Sequence, residues 1–307
     1  MGKEPRDVEE LVEELLERAY DSEDMAEVEE LVRQALDLDP ENPEVLLLQA
    51  DLTEDDDARL PILVRAVENA RKVLEGEGIP EEDFAEDDLG SVYLALLQRA
   101  AFTLFSMEDD ERSFEIVQEL MRHELDDQGA VRSLYYRILI ERREWALILR
   151  ETMQDGDRHR QLGWAYARLA ACFMLVGEGK GSLGEAAVMF WDALTMAPNV
   201  PFYMLGYFPD PVDDSEEEEE DFHFSLLFAD VWSSSLDLLN WFSRGVILFG
   251  LLSGRFGEEA EEILEILRSL GGGEEYDEME AFLDDHDDQD DNSLIEALAA
   301  HHCLSKR

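Results

Sequence analysis

Lysine is nearly missing from this chain: among 307 residues only Lys3, Lys72, Lys180 and Lys306 carry an ammonium, and arginine supplies the other basic side chains. The 25 basic residues face 76 acidic ones, a formal net charge of −51. Such a surface repels phosphate backbones and anionic lipid headgroups over a Debye length, so neither nucleic acid nor a membrane surface is an expected partner. Cysteine is almost as scarce. Cys172 lies in an apolar run and Cys303 near the end, which excludes a disulfide framework and fits a reducing compartment; the cytoplasm is the expected location. Met1 to Glu14 contain no apolar core of an export signal. Uninterrupted apolar runs are missing as well. The longest, Phe222 to Phe256, is broken by Asp230, Asp237, Asn240 and Arg244, all costly at a bilayer centre, and reads as buried helices.

What is present is helical periodicity. No stretch alternates polar and apolar for long, whereas Val28, Leu31, Val32, Ala35 and Leu36 recur three and four apart, as do Val131, Leu134, Tyr135, Ile138 and Leu139. Breakers fall at short intervals: Asp39 to Pro43, Gly76 to Pro80, Asp126 to Gly129, Asp155 to Asp157 and Gly177 to Gly184. The spacing predicts helices of roughly 12 to 17 residues joined by short turns, hence antiparallel hairpins.

Two segments carry the large-and-small pattern of the tetratricopeptide unit, whose period is about 34 residues. In the better one, Tyr166, Leu169, Ala170 and Phe173 occupy a first helix, and Ala186, Phe190, Ala193 and Pro198 a second. Ala170 and Ala186 allow close approach, Phe173 and Phe190 wedge between the helices, and Pro198 ends the second. The turn Gly177 to Gly184 is longer than the usual one. A looser match has Leu15, Leu16 and Ala19 followed by Val28, Val32, Ala35 and Pro40, with Val28 where alanine is expected. Leu46 to Leu149 read as degenerate repeats. The expected fold is all-α: a tetratricopeptide-like helical-hairpin solenoid over 1–206, a C-terminal helical cap over 207–270, and an acidic, flexible tail over 271–307 with a short docking helix at Ser293 to His302.

Ala197 to Gly206 (APNVPFYMLG), the acidic Ser215 to Glu220 and the aromatic Phe222 to Trp241 resemble the C-terminal part of bacterial tetratricopeptide proteins related to the suppressor-of-tumorigenicity-seven family. That family carries "NPHVPxYLLG", then "SEEEA", then an aromatic helix. Here its histidine is missing, since Asn199 stands directly before Val200. The resemblance spans Met25 to Arg244, with strong motifs only after Trp164, and implies a scaffold without a catalytic activity.

Constellations that suggest chemistry weaken in context. Gly179 to Gly184 satisfies G-x-G-x-x-G, but a helix precedes it and Gly181 separates Lys180 from Ser182, so it reads as an inter-helix turn. His301-His302-Cys303, His286 and the aspartates Asp284, Asp285, Asp287, Asp288, Asp290 and Asp291 lack the spacing of a zinc or calcium site. His123, His159 and His223 have no partner at a catalytic spacing. No enzyme, cofactor or metal is expected. Of the acidic runs, Asp213 to Asp221 reads as a loop and helix start, where carboxylates favour the macrodipole; Glu54 to Asp57, Glu81 to Asp88 and Asp284 to Asp291 read as solvated.

Tetratricopeptide geometry lines a concave groove with the first helices of successive units. The ligand-facing positions fall on Glu10, Glu13, Glu17 and Tyr20, then on Glu44, Leu47 and Asp51, and in the better unit on Trp164, Ala167, Ala171 and Met174. The groove is expected to be acidic at one end and apolar at the other, suiting a basic amphipathic protein segment; the opposing expectation is that Trp164 and Met174 are core. A rival function is an acidic mimic or holdase that sequesters basic, for example DNA-binding, proteins.

Overall fold

The computed structural model describes residues 8–123, 129–155, 161–283 and 290–305, and all of its regular elements are helices. The chain divides between Val131 and Arg132 into two compact units.

The first unit contains α1 (Val8–Asp21), α2 (Met25–Leu38), α3 (Pro43–Asp51), α4 (Asp56–Glu77), α5 (Asp88–Ser106) and α6 (Asp110–Leu120). Each helix packs on its neighbour in sequence, and α3 also touches α5. The sequence explains the starts. Asp24, Asn42, Asp87 and Asp109 cap α2, α3, α5 and α6 through side chains that accept backbone N–H groups left unpaired by the helix. The runs at 54–57 and 81–88 thus hold helix-start residues: Asp56 and Asp57 open α4, Asp87 caps α5 and Asp88 opens it. Val12, Leu16, Ala19, Val28, Leu31, Val32, Ala35 and Val45 form one core cluster, so the weaker repeat match does make a packed hairpin. Helix lengths depart from expectation: α3 has 9 residues, α4 has 22 and α5 has 19.

The second unit contains α7 (Gly129–Glu141), α8 (Trp145–Asp155), α9 (Leu162–Gly177), α10 (Leu183–Leu194), α11 (Val200–Met204), α12 (Glu216–Phe228), α13 (Leu236–Leu252), α14 (Ala260–Ser269), α15 (Gly273–Leu283) and α16 (Asp291–Ala300). In the hairpin of α9 and α10, Tyr166, Leu169, Ala170, Ala186, Phe190 and Ala193 are all buried. Ser182 starts α10 with a reciprocal capping box to Glu185, and Lys180 pairs with Glu178, which gives the glycine-rich turn a structural role. The segment after Gly206 packs on the hairpin of α9 and α10. Helices α12 and α13 pack on α9, and α16 packs on α10 and α13.

The short docking helix expected in the tail is present as α16, but the tail is not loose. Instead of a loose end, α15 and α16 bury Met279, Leu294, Ile295, Leu298, Cys303 and Leu304. The indole N–H groups of Trp191 and Trp241 donate to the carbonyls of Cys303 and Leu304, at 3.4 and 3.1 Å. Two glycines set the approach of α13 to its neighbours. A Cβ at Gly245 would lie 2.6 Å from Phe190, and one at Gly250 would lie 2.4 Å from Phe256.

Among the described residues, α5 alone is a single helix long and apolar enough to cross a bilayer, with a mean hydropathy of 1.2 and half of it buried; α13 and α14 pass only as a pair bent by 115°. The apolar run 222–256 falls on α12 and α13, and α13 is largely buried.

Candidate partner-binding face

On α1, Glu10, Glu13, Glu17 and Tyr20 follow one another at three- and four-residue steps and share one face, all exposed; Val12, Leu16 and Ala19 turn the opposite face into the core. Tyr20 is 55% exposed. Its hydroxyl is nonetheless held well above the usual tyrosine range, first by partial burial, then by the charge and hydrogen bonding of Glu44, then by the charge of Asp51, with Arg99 opposing. The structure therefore brings Tyr20 of α1, Glu44 and Asp51 of α3, and Arg99 of α5 into one cluster.

Arg99 completes that cluster. Its Nε donates to Asp51 Oδ1 at 3.1 Å, with both side chains about two-fifths exposed. Sequence reading missed it, because the pair is 48 positions apart and nothing local marks the register of α5 against α3. In the cluster one guanidinium, that of Arg99, is paired with one of the two carboxylates. Two carboxylates act on the Tyr20 hydroxyl, and carboxylates beside an aromatic ring attract ammonium and guanidinium groups by charge and by the ring quadrupole.

Leu47 is 8% exposed and packs inward, so it does not face a ligand. The expected apolar end of the groove is also closed. Trp164 is 5% exposed, its indole N–H donates to the Thr152 carbonyl at 3.1 Å, and the Arg168 guanidinium covers its ring at 5.1 Å. Ala167 and Ala171 are fully buried. The reason lies in α9 itself: a helix apolar on every side is covered on every side. Met174 is only part-buried and lines a cavity in the second unit.

A second polar cleft, also missed, lies among α4, α5 and α6. Arg71 donates to the Tyr93 hydroxyl at 2.5 Å, and that hydroxyl donates to Glu119 at 2.8 Å. Burial is the main cause that raises the Tyr93 pKa to about 12. His123 stacks on Phe84 at its rim, with ring centroids 5.7 Å apart. Arg71 pairs with Glu119 at 3.3 Å, and the geometry is that of an inter-helix brace.

Among the described residues, no three His, Cys, Asp or Glu side chains converge as metal ligands do. Positions 284–289, holding His286 and four of the tail aspartates, lie outside the described residues, as does His159. Asp290 caps α16 by accepting the Ser293 N–H, and Asp291 pairs with Arg255 at 2.6 Å. His223 Nδ1 lies 2.8 Å from the Glu219 carbonyl of its own helix, and His301 packs on Phe282. Burial raises the thiol of Cys172, and that of Cys303 to about 12, so neither favours the nucleophilic thiolate form. Comparison with known proteins adds no relative: no family model matches the chain, and no curated protein or solved structure matches it significantly.

Proposed function

We propose that this protein is a cytoplasmic, non-enzymatic interaction scaffold of tetratricopeptide-like hairpins that captures a basic segment of another protein on the first helices of its first unit. The observation that carries this reading is the convergence of Tyr20, Glu44, Asp51 and Arg99 from α1, α3 and α5. Alternate helices of successive hairpins supply the cluster, as a groove built on first helices requires. Glu10, Glu13 and Glu17 extend the same negative face along α1. A partner lysine or arginine lies over the Tyr20 ring, with carboxylates around its charge.

The test is titration of a fluorescently labelled, arginine-rich amphipathic peptide onto the full chain. Changing Glu13, Glu17 and Glu44 together to lysine is expected to weaken binding about tenfold to a hundredfold, since three attractions become repulsions, with helicity unchanged by circular dichroism. Unaltered affinity in that variant defeats the reading. Titration at about 0.5 M salt separates a scaffold, which retains a specific peptide, from a general sequestering agent, which releases every basic peptide as screening rises.

A further inference from the structure

We infer that the cleft among α4, α5 and α6 of the first unit is a binding site for a small zwitterion with an apolar body, of the class of a free amino acid. Its carboxylate is taken by Arg71 and Arg122, and its ammonium faces Glu75 and Glu81. No residue of this site belongs to the basic-segment reading, so the two stand or fall separately.

Helix α4 ends where the Ile79 N–H donates back to the Leu74 carbonyl at 3.1 Å, and the chain then crosses to α5. Beside the brace of Arg71, Tyr93 and Glu119 this crossing leaves a cavity of about 580 Å³. That volume lies within the range of small-molecule pockets, roughly 300–1,000 Å³. Leu74, Phe84 and Tyr93, all buried, form an apolar floor. Ile79 and Pro80 add an apolar side that stays partly open to solvent.

The charges around this floor can be reached from solvent, and the brace uses only part of them. Arg71 donates to the Tyr93 hydroxyl through Nε and Nη2, and Nη2 also reaches Glu119. Its Nη1 has no partner among the described residues, and its side chain is 53% exposed. Arg122 is exposed, and its guanidinium makes no ion pair or hydrogen bond among the described residues. Glu75 and Glu81 are exposed as well, and their carboxylates accept no hydrogen bond among the described residues.

The balance of these charges selects the class of ligand. Acids outnumber bases about three to one along the chain, whereas here Arg71, Arg122 and His123 stand against Glu75, Glu81 and Glu119. An anion entering the cleft gains two guanidiniums but meets Glu75 and Glu81. A cation gains those carboxylates but meets Arg71 and Arg122. A zwitterion satisfies both sets, and having no net charge it is not repelled by the negative field of the protein. Its apolar body covers the open edge of Ile79 and Pro80.

The experiment is isothermal titration calorimetry of the full chain with L-phenylalanine, beside its two single-charge analogues, 3-phenylpropionate and phenethylamine. Phenylalanine is expected to saturate one site per chain with a Kd below about 1 mM, at least about fivefold tighter than either analogue. Arg122→Gln is expected to weaken phenylalanine about fivefold without weakening phenethylamine. The double variant Glu75→Gln with Glu81→Gln is expected to weaken phenylalanine to a similar degree while strengthening 3-phenylpropionate. All three positions are exposed, so these variants keep the fold. No saturation by about 10 mM phenylalanine, an analogue bound as tightly, or undiminished binding in either variant overturns the inference.

Discussion

The indole of Trp241 on α13 donates its N–H to the carbonyl of Leu304, 3.1 Å away and 63 positions later, and Leu304 itself is fully buried. The last described residues are thus part of the core of the second unit. Leu304→Ala removes a buried isobutyl group beside Gly245, whose missing Cβ leaves room for the Leu304 methyl. The variant is expected to lose about 2–5 kcal/mol in chemical denaturation of the second unit. A loss no greater than that of an exposed substitution contradicts the docked tail.

Arg137 and Asp230 give a prediction in which direction matters. The Arg137 side chain is 4% exposed and makes a two-pronged contact with Asp230, 2.8 Å to each oxygen, while Asp230 remains 70% exposed. Arg137 also donates to the Leu227 carbonyl at 2.9 Å and pairs with Glu141. Removing the carboxylate takes one of its acceptors from a buried cation, whereas removing the cation returns an exposed carboxylate to water. Asp230→Ala is therefore expected to cost about 1–3 kcal/mol, and Arg137→Met less. Denaturation of the two variants checks the order.

Asp221 predicts a pH dependence. Partial burial first, then the charges of Glu218, Glu217 and Glu220 on its own helix, raise its pKa from 3.8 to about 7. From other helices the buried Tyr166, whose hydroxyl has no hydrogen-bond partner among the described residues, and Tyr203 face it. Between pH 3.8 and about 7 the folded protein binds a proton there that the unfolded chain does not. Stability from this group therefore rises as pH falls through 7, and its cost is fully present above 7. Asp221→Asn is expected to be more stable than wild type at pH 8 and to lose that advantage progressively as pH falls from about 7 to 3.8. Parallel stability profiles for the two proteins refute the assignment.

Arg99 occupies Asp51 in the unbound protein, so an incoming cation has to displace it. Arg99→Gln is expected to raise affinity for an arginine-rich peptide about two- to fivefold, the worth of one exposed ion pair, while stability changes by under about 1 kcal/mol. Weaker peptide binding in Arg99→Gln assigns Arg99 a supporting rather than a competing role.

The hairpin of α9 and α10 was legible from two alanines. Only a small residue fits where helices approach closely, and both Ala170 and Ala186 are fully buried. The acidic face of α1 was legible because Glu10, Glu13, Glu17 and Tyr20 are local in sequence. Trp164 was not, since periodicity reports that a helix is apolar without naming what covers it. The tail was legible in its short docking helix, which is α16, but its looseness was misread for a related reason. Short helices among many carboxylates look solvated, while the demand for an acceptor comes from Trp191, 112 positions before Cys303. The breaker at Asp126 to Gly129 lies just before the unit boundary, but it read as one inter-helix turn among several, and α7 begins at Gly129 and runs across the boundary.

The two units differ in how far apart their joined parts lie along the chain. In the first, the main helix contacts are between sequence neighbours or the next but one. In the second, Arg137 needs the carbonyl of Leu227, Trp191 that of Cys303 and Trp241 that of Leu304. A ribosome releases residues in order, so the first unit can close while translation continues. The second completes its fold only once its final helix has emerged, and until then its aromatic interior is the surface a chaperone would meet.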